Sequence, residues 1–466
     1  MEWERLLSPT RFSQDNGRVE RFESRTDNGR PDLARSDYDV DIDRVTFSRS
    51  FRRLGRKTQV HPFVEDDDIH NRLTHSVEVA RVGRSLGALV GEALKREGEL
   101  PDSISPANLA DVVQVACLAH DLGNPPFGHT GEDAIRAWFA DPANNIYLTP
   151  LSVEQQFDAL TYEGNAHSLR IVASLEMYKG KGGMRLTAAA LGALMKYPWV
   201  PSYDPKRRAV GSKPTPKFCV YQSELPLARA VAKELDLPPK LEAGGGPIAW
   251  ARHPLSYLME AADDICYALL DLEDAVQMGL IDEDEMGEAL SDLVDSSGWA
   301  GAPVAEKCSR LRGQAVGAAI DAVAATFLRH RREILDGTFP HKDLIAADMD
   351  GEFAGRCRAL EKAKALARDK IYSHPRKLML TVAAYPCLGS ILSVLIGSAH
   401  GYVENKGDLS KMKAPERAAA KLLDGVLDPG DSHYAAYMKT LDYVCSLTDN
   451  SAAKLAREFS GIWMGA

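Results

Sequence analysis

Cysteine is scarce in this sequence, and no two cysteines form a CxxC pair. The seven cysteines stand singly among 466 residues, and the opening segment MEWERLLSPTRF has no apolar core of the kind found in secretion signals. These absences argue against a disulfide-stabilised secreted protein. We therefore expect reduced thiols and a cytoplasmic location.

A long unbroken hydrophobic run is also missing. The most apolar stretch, residues 378–399, is interrupted by Pro386 and Gly389. It falls short of the roughly 20 consecutive apolar residues that cross a bilayer. We interpret it as a buried helix pair and predict no membrane association.

Positive charge is not in excess, because 56 Lys and Arg face 66 Asp and Glu for a net charge of −10. This balance argues against a general nucleic-acid-coating protein, so any anionic partner must meet a local basic patch. One candidate patch consists of Arg44, Arg49, Arg52, Arg53, Arg56 and Lys57. We expect it either to contact single-stranded DNA or a neighbouring subunit, or to be simply a charged helix face.

Several catalytic signatures are absent as well. The sequence has no Ser/His/Asp nucleophile set and no GxGxxG motif, and its glycine run at 244–246 lacks the Lys and Ser/Thr of a phosphate-binding P-loop. Neither P-loop nor dinucleotide-cofactor chemistry is supported.

What the sequence does contain is helical periodicity, with few segments that alternate apolar and polar residues. We predict an all-α protein with an extended arm at 1–43, a catalytic body at 44–280 with substrate loops at 180–250, and a helical part at 281–466. The last part would complete the pocket and make oligomer contacts. Predicted helices include 74–96, 109–122, 131–140, 152–179, 186–196, 224–235, 254–278, 283–296, 303–334, 352–373, 377–400 and 431–459.

The strongest local signal is His120-Asp121 at the end of the apolar run VVQVACLAH. An imidazole and a carboxylate together suit a divalent cation. The bare dipeptide is equally typical of a capped helix end with a satisfied histidine. His75 upstream and Asp263 downstream, on separate predicted helices, extend the pair to the H, HD, D pattern of the HD-domain metal phosphohydrolases, which the chain resembles.

Five blocks sharpen this resemblance to the deoxynucleotide triphosphohydrolases of the bacterial dGTPase type. In order they are FRRLGRKTQV, NRLTHSVEVARVG, HDLGNPPFGHTGE, YEGNAHSLRIV and MEAADDICYALLDLEDAV. The resemblance implies an HD-domain helical fold with a helical C-terminal extension and a homo-oligomer, commonly a hexamer. It also implies one divalent metal, Mg²⁺ or Mn²⁺, on His75, His120, Asp121 and Asp263. The implied reaction converts a dNTP into deoxynucleoside and inorganic triphosphate, and dGTP is the expected substrate.

Two further groups have chemistry of their own. His129 and Glu132 lie three residues apart at the start of a predicted helix, a spacing that lets an imidazole and a carboxylate move a proton. The alternative is a helix cap beside a loop histidine. Asp263, Tyr267 and Asp271 recur every four residues on one helix stripe. The resemblance implies that His129 and Glu132 are catalytic, that Tyr267 stacks beneath deoxyribose and that Asp271 accepts from its 3′-hydroxyl. The alternative for the stripe is a core aromatic and a solvated carboxylate.

A triphosphate needs concentrated cations in so acidic a protein, and Arg72 is the best candidate. The resemblance adds substrate contacts from Asn165, Lys196, Lys217, Arg368 and Tyr372, and contacts to the base from Gln59 and the Val60 backbone. His167 departs from the Gln of many relatives. Two rival hypotheses are another HD nucleotide phosphohydrolase (a 5′-phosphatase or phosphodiesterase) and a protein that senses nucleotide or binds single-stranded DNA.

Overall fold

The N-terminal region of the computed structural model combines short helices with a hairpin. The structure describes residues 1–15, 17–23, 35–59, 69–177, 182–202, 217–243, 245–295, 302–371 and 373–462. Strands β1 and β2 pair in antiparallel fashion. The elements are α1 (Trp3–Leu6), β1 (Arg11–Asp15), β2 (Arg18–Phe22), α2 (Asp37–Thr46) and α3 (Arg49–Arg53).

The prediction of an extended arm at 1–43 does not fit the described part of this region, which forms helices and a hairpin whose strand β1 is largely buried. Arg11 is 3% exposed, and its guanidinium pairs with Asp37 at 2.8 Å and with Asp41 at 2.5 Å. Paired charges let a segment that is poor in aliphatic residues pack inside the protein. The division of the chain at residues 43 and 280 stays a prediction.

The middle of the chain builds the helices that carry the predicted metal ligands. A short hairpin of β3 (Pro239–Glu242) and β4 (Pro247–Trp250) occupies one of the predicted Gly/Pro loops. The helices are α4 (Arg72–Arg96), α5 (Pro106–Ala119), α6 (His129–Ala140), α7 (Asn145–Leu148), α8 (Val153–Leu160), α9 (Gly164–Arg170), α10 (Ala188–Leu194), α11 (Leu225–Glu234) and α12 (Pro254–Gln277).

The remaining helices surround this group. α14 and α17 pack on α12, whereas α18 packs on α6, α19, α20 and α21. They are α13 (Glu283–Ala289), α14 (Val304–Arg329), α15 (Arg331–Leu335), α16 (Leu344–Ala347), α17 (Ala354–Lys370), α18 (Pro375–Glu404), α19 (Ala414–Leu422), α20 (His433–Ser446) and α21 (Asp449–Phe459). The all-α prediction is confirmed.

Two hydrophobic cores hold these helices together. The larger core joins α4, α5 and α12 through residues such as Leu86, Leu109 and Leu258, and α4 approaches α5 so closely that a Cβ at Gly87 would lie 2.8 Å from the Ala110 Cα. The smaller core joins α6, α18 and α20. The predicted site lies at the ends of α4 and α5, beside α12.

Helix α18 is one continuous helix through Pro386, so the predicted helix at 377–400 is present and the interpretation of this stretch as a helix pair was wrong. Proline removes one backbone hydrogen bond, but burial of Leu388 and Ile391 in the smaller core stabilises the turns that follow. By length and composition residues 377–404 are apolar enough to cross a membrane, and 33% of the most apolar window is buried in the protein. The core helix of a soluble protein can have the same length and composition, so this helix is weak evidence for a membrane span.

Candidate metal and substrate site

The four predicted metal ligands converge from three separate segments. His75 lies in the first turn of α4, His120 and Asp121 directly follow α5, and Asp263 lies in α12. His75 Nε2 is 3.2 Å from Asp263 Oδ1. His120 Nε2 is 3.5 Å from Asp121 Oδ1 and 3.6 Å from Asp263 Oδ1. These distances bring together residues that are far apart in the sequence.

The orientation of His120 fits a divalent cation. Its Nδ1 lies 2.6 Å from the Cys117 carbonyl oxygen, to which it donates, so in the neutral ring Nε2 carries the lone pair. That Nε2 is buried and has no hydrogen-bond partner among the described residues. An imidazole held by its second nitrogen, with carboxylates beside the other, is a typical metal-ligand arrangement. Two imidazoles and two carboxylates suit Mg²⁺, Mn²⁺ or iron among other ions.

The charges of this cluster favour a cation as well. Burial lowers the pKa of His120, but Asp121 and Asp263 outweigh burial and raise it to about 9. Burial raises the pKa of Asp121, yet Arg72 and then His120 bring it down to about 2. The carboxylates are therefore ionised at neutral pH, and the cluster attracts positive charge.

Arg72, the predicted phosphate ligand, is part of this cluster. It is buried, and its Nη1 donates to Asp121 Oδ2 at 2.5 Å. A Cβ at Gly128 would lie 2.4 Å from Arg72 Nη2, and Gly128 has a φ of +57°. Glycine thus satisfies both the backbone conformation and the close approach of the guanidinium.

His129 and Glu132 form the predicted pair, with His129 Nδ1 3.1 Å from Glu132 Oε2. The imidazole side chain is 77% exposed and the carboxylate only 1% exposed. Glu132 Oε1 accepts from the Gly164 amide at 2.8 Å. Burial opposes ionisation of Glu132, but Lys217 and His129 hold its pKa well below the usual range. The pair therefore joins a solvent-facing imidazole to a carboxylate that stays ionised.

The metal-ligand cluster and the His129–Glu132 pair are neighbours. Asn124 Nδ2 donates to Asp121 Oδ1. A Cβ at Gly164 would lie 2.7 Å from Glu132 Oε1 and 3.0 Å from Asn124 Oδ1. Glu132 and the Asn124 side chain that bonds to Asp121 therefore both lie against the turn that begins α9, which makes the two groups adjacent.

The predicted sugar contacts lie on the helix that carries Asp263. Asp263, Tyr267 and Asp271 occupy successive turns of α12, with Tyr267 half-buried and Asp271 buried. Gln59 Oε1 is buried and has no hydrogen-bond partner in the part of the chain that is described. Val60 and Tyr372 lie outside the described residues.

Two of the lysines predicted to bind substrate form ion pairs with carboxylates. Lys196 Nζ lies 3.4 Å from Glu260 Oε1. Lys217 Nζ lies 2.8 Å from Glu163 Oε2, and Asn165 Nδ2 donates to Glu163 Oε1 at 2.6 Å. Glu163 thus positions two predicted substrate contacts, a function that the YEGNAH block did not indicate.

Arg368 is exposed at the end of α17. Within the described ranges, no hydrogen bond or ion pair links it to another predicted site residue. The structure therefore does not join Arg368 to the cluster.

Sequence reasoning missed Lys377 near the start of α18. Burial lowers its pKa, and so does the neighbouring charge of Arg72. Its ammonium makes no ion pair with any residue that the structure describes. Lys377 is far from the HD motif in sequence, and only the packing of α18 brings it close.

The Arg-rich stretch does not form one charged face. Lys57 is 3% exposed, and its ammonium donates to the backbone oxygens of Asn124 and Cys445, each at 2.6 Å. Arg52 and Arg56 are exposed. Lys57 instead fixes the turn after the HD motif to α20.

His167 lies behind the site and not in it. It is fully buried, and its Nε2 is 3.6 Å from Asp442 Oδ1. Burial lowers the pKa of His167, but the nearby Cys445 outweighs it and raises that pKa. A fully buried ring cannot contact substrate directly.

Comparison with known proteins gives consistent matches. Residues 72–151 match the model of the HD domain. The chain is 40% identical over 469 residues to the deoxyguanosinetriphosphate triphosphohydrolase-like protein of Pseudomonas aeruginosa (strain LESB58), covering 99% of each. It is 34% identical over 475 residues to the Synechocystis sp. protein of the same description, covering 99% and 100%. The deoxyguanosinetriphosphate triphosphohydrolase of Salmonella paratyphi A is 29% identical over 409 residues, covering 77% and 76%.

Proposed function

The chain belongs to the HD-domain family of deoxyguanosinetriphosphate triphosphohydrolase-like proteins, and on that premise we propose that it hydrolyses deoxynucleoside triphosphates, with dGTP preferred. Water attacks the α-phosphorus, the P–O5′ bond breaks, and deoxynucleoside and inorganic triphosphate leave. The convergence of His75, His120, Asp121 and Asp263 next to the His129–Glu132 pair is the observation that carries this proposal.

His75, His120, Asp121 and Asp263 would hold one divalent ion, which we propose to be Mg²⁺ or Mn²⁺. The buried, unpaired Nε2 of His120 and the ionised carboxylates around it support this assignment. Such an ion supplies Lewis-acid polarisation of an α-phosphate oxygen when bound.

The His129 side chain would transfer the proton that the leaving group needs. Departure of the nucleoside leaves negative charge on O5′, and a protonated imidazole neutralises it by donating a proton. Glu132 fixes the ring through Nδ1 at 3.1 Å, which leaves Nε2 for the donation. The proton of the attacking water passes to solvent and solvent returns one to His129, so charge and atoms balance.

Cations around the cluster would bind the triphosphate. Arg72 and Lys217 lie beside the metal-ligand cluster and the His129–Glu132 pair respectively, and Lys377 adds an ammonium without an ion pair near Arg72. Lys196, Arg368 and Tyr372 remain candidates by family resemblance, and Asn165 would position the substrate beside Lys217. Gln59 and Val60 remain candidates for the base.

Sugar recognition gives a direct prediction for Asp271. If this carboxylate accepts a hydrogen bond from the 3′-hydroxyl, Asp271→Asn should lower kcat/KM for dGTP by roughly 10- to 100-fold, the value of a hydrogen bond to a charged group. The same variant should change kcat/KM for 2′,3′-dideoxy-GTP much less, since that substrate has no 3′-hydroxyl. Equal losses with both substrates would contradict the assignment.

The function itself is tested by incubating metal-loaded protein with each dNTP and each NTP separately and resolving products by chromatography. We expect deoxynucleoside and intact triphosphate, fastest from dGTP and slowly or not at all from GTP, because Tyr267 beneath the sugar would leave no room for a 2′-hydroxyl. Monophosphate and pyrophosphate would instead indicate a different HD hydrolase.

Assembly and location extend the proposal. We propose a homo-oligomer, a hexamer by family resemblance. The exposed apolar residues Leu378, Met379 and Val382 on α18 support a subunit contact there. The seven unpaired cysteines are consistent with a reducing, cytoplasmic environment. Binding of single-stranded DNA remains a proposal, for which exposed Arg52 and Arg56 are the candidates.

A further inference from the structure

A second group of metal-ligand side chains lies between α18 and α20, and none of its members belongs to the HD cluster. His400 and Glu404 are one turn apart on α18, and His433 is the first residue of α20. One ligand atom from each lies within 4.8 Å of the other two. The two imidazole ring centroids are 4.9 Å apart.

The rings are oriented in a way that suits a metal. His400 Nδ1 lies 2.6 Å from the Tyr437 hydroxyl oxygen. Donation from Nδ1 to that oxygen leaves Nε2 as the acceptor atom, the arrangement found when a ligating histidine is held by a neighbour.

His433 has an unsatisfied nitrogen at the same place. Its Nε2 is buried and has no hydrogen-bond partner in the described part of the chain. Glu404 Oε1 lies 2.9 Å from this atom, an ion pair when the ring is protonated. This nitrogen, the Glu404 carboxylate and the His400 ring lie close enough together to serve as ligands of one cation.

We propose that His400, Glu404 and His433 bind a transition-metal ion, best Zn²⁺, at a site separate from the HD cluster. Two imidazoles and one carboxylate are a common zinc ligand set, and Zn–N and Zn–O distances near 2.0–2.2 Å place ligand atoms about 3.3 Å apart. Small side-chain rotations bring the three atoms to that spacing. Glu404 is 59% exposed, so solvent reaches the fourth position.

The position of the group between two helices has a consequence for their packing. His400 also lines a cavity of about 350 Å³ together with Tyr147 and Glu416. A bound ion would fasten α20 to α18. Further along α20, Asp442 pairs with Arg170, and the Cys445 carbonyl accepts from Lys57. Zinc should therefore stabilise the contact between the C-terminal helices and the catalytic body.

The test distinguishes zinc bound at this site from metal bound at the HD cluster, because two metal ligands of the HD cluster are first replaced by alanine. In a His120→Ala/Asp121→Ala background, the full chain is equilibrated with ZnCl₂, dialysed against metal-free buffer and analysed for zinc by mass spectrometry. We expect about one zinc per chain and a melting temperature raised by several degrees. Adding His433→Ala should abolish both effects. Adding His330→Ala should change neither, because His330 pairs with Glu333 at 2.6 Å outside the cluster.

Circular dichroism in EDTA shows whether His433→Ala folds. If it does not fold, the more conservative variant Glu404→Gln tests the proposal. Glu404→Gln alters an exposed carboxylate and should lower zinc affinity by about 10-fold or more. Co²⁺ in place of zinc should give the strong visible bands of a tetrahedral site in the His120→Ala/Asp121→Ala protein, and these should weaken with Glu404→Gln. Absence of zinc above background, or zinc retained unchanged by both variants, would overturn the proposal. Neither result depends on whether the protein hydrolyses dNTPs.

Discussion

Asp263→Asn is expected to lower kcat/KM for dGTP by about 1,000-fold or more and to remove the bound metal at the same time. Asp263 Oδ1 lies 3.2 Å from His75 Nε2 and 3.6 Å from His120 Nε2, so it faces both imidazoles of the proposed ligand set. An amide loses the charge that attracts a divalent ion. Loss of the several kcal/mol that a Lewis acid contributes corresponds to a rate change of this size.

The neighbouring Asp264→Asn is the matched control. Asp264 lies on the same helix but pairs with Lys364 Nζ at 3.1 Å. We expect this variant to retain the metal and to change kcat/KM by less than about threefold, as typical of a change away from the reacting atoms. Metal content by mass spectrometry and initial rates measure both variants. An Asp263→Asn protein with intact metal and full activity would refute the ligand assignment.

His129→Ala is expected to retain the metal and to lower kcat by about 10²- to 10⁴-fold, the usual contribution of general acid catalysis. The side chain is 77% exposed, so its removal should leave the fold and the melting temperature nearly unchanged. Because the ring does not belong to the ligand set, metal content should stay at the wild-type value. This combination distinguishes a proton donor from a ligand.

Asp133→Asn controls for charge on the same helix. Asp133 is largely exposed and bonds to Arg136, and its substitution should leave kcat within about twofold of wild type. If His129→Ala has wild-type kcat, the proton must come from elsewhere. If it loses the metal, His129 is a ligand and the assignment of roles is wrong.

Helices with a regular apolar period were predictable from sequence alone. The prediction of a helix at 74–96 agrees with α4, and that at 254–278 agrees with α12. The elements that were missed depend on tertiary contacts. Strand β1 is buried because Arg11 meets Asp37 and Asp41, and α18 continues through Pro386 because its later turns pack in a core.

The same distinction applies to the site. The HD motif and its two distant partners were sufficient to predict a cluster that the structure brings together. Glu163 and Lys377 were not predicted, because their importance depends on which side chains fold against them. Lys57 was assigned to a charged surface, since nothing in its neighbourhood in the sequence indicates that two backbone carbonyls bury it.

The central claim is that water attacks the α-phosphorus and the P–O5′ bond breaks. The most direct measurement combines ³¹P NMR of the triphosphate with mass spectrometry of the deoxyguanosine, both released from dGTP by metal-loaded protein in H₂¹⁸O. We predict inorganic triphosphate with one ¹⁸O on a terminal phosphorus and deoxyguanosine without label. Label in deoxyguanosine would mean that the C5′–O5′ bond breaks, and labelled dGMP with pyrophosphate would mean that the α–β bond breaks. Either result would contradict the account.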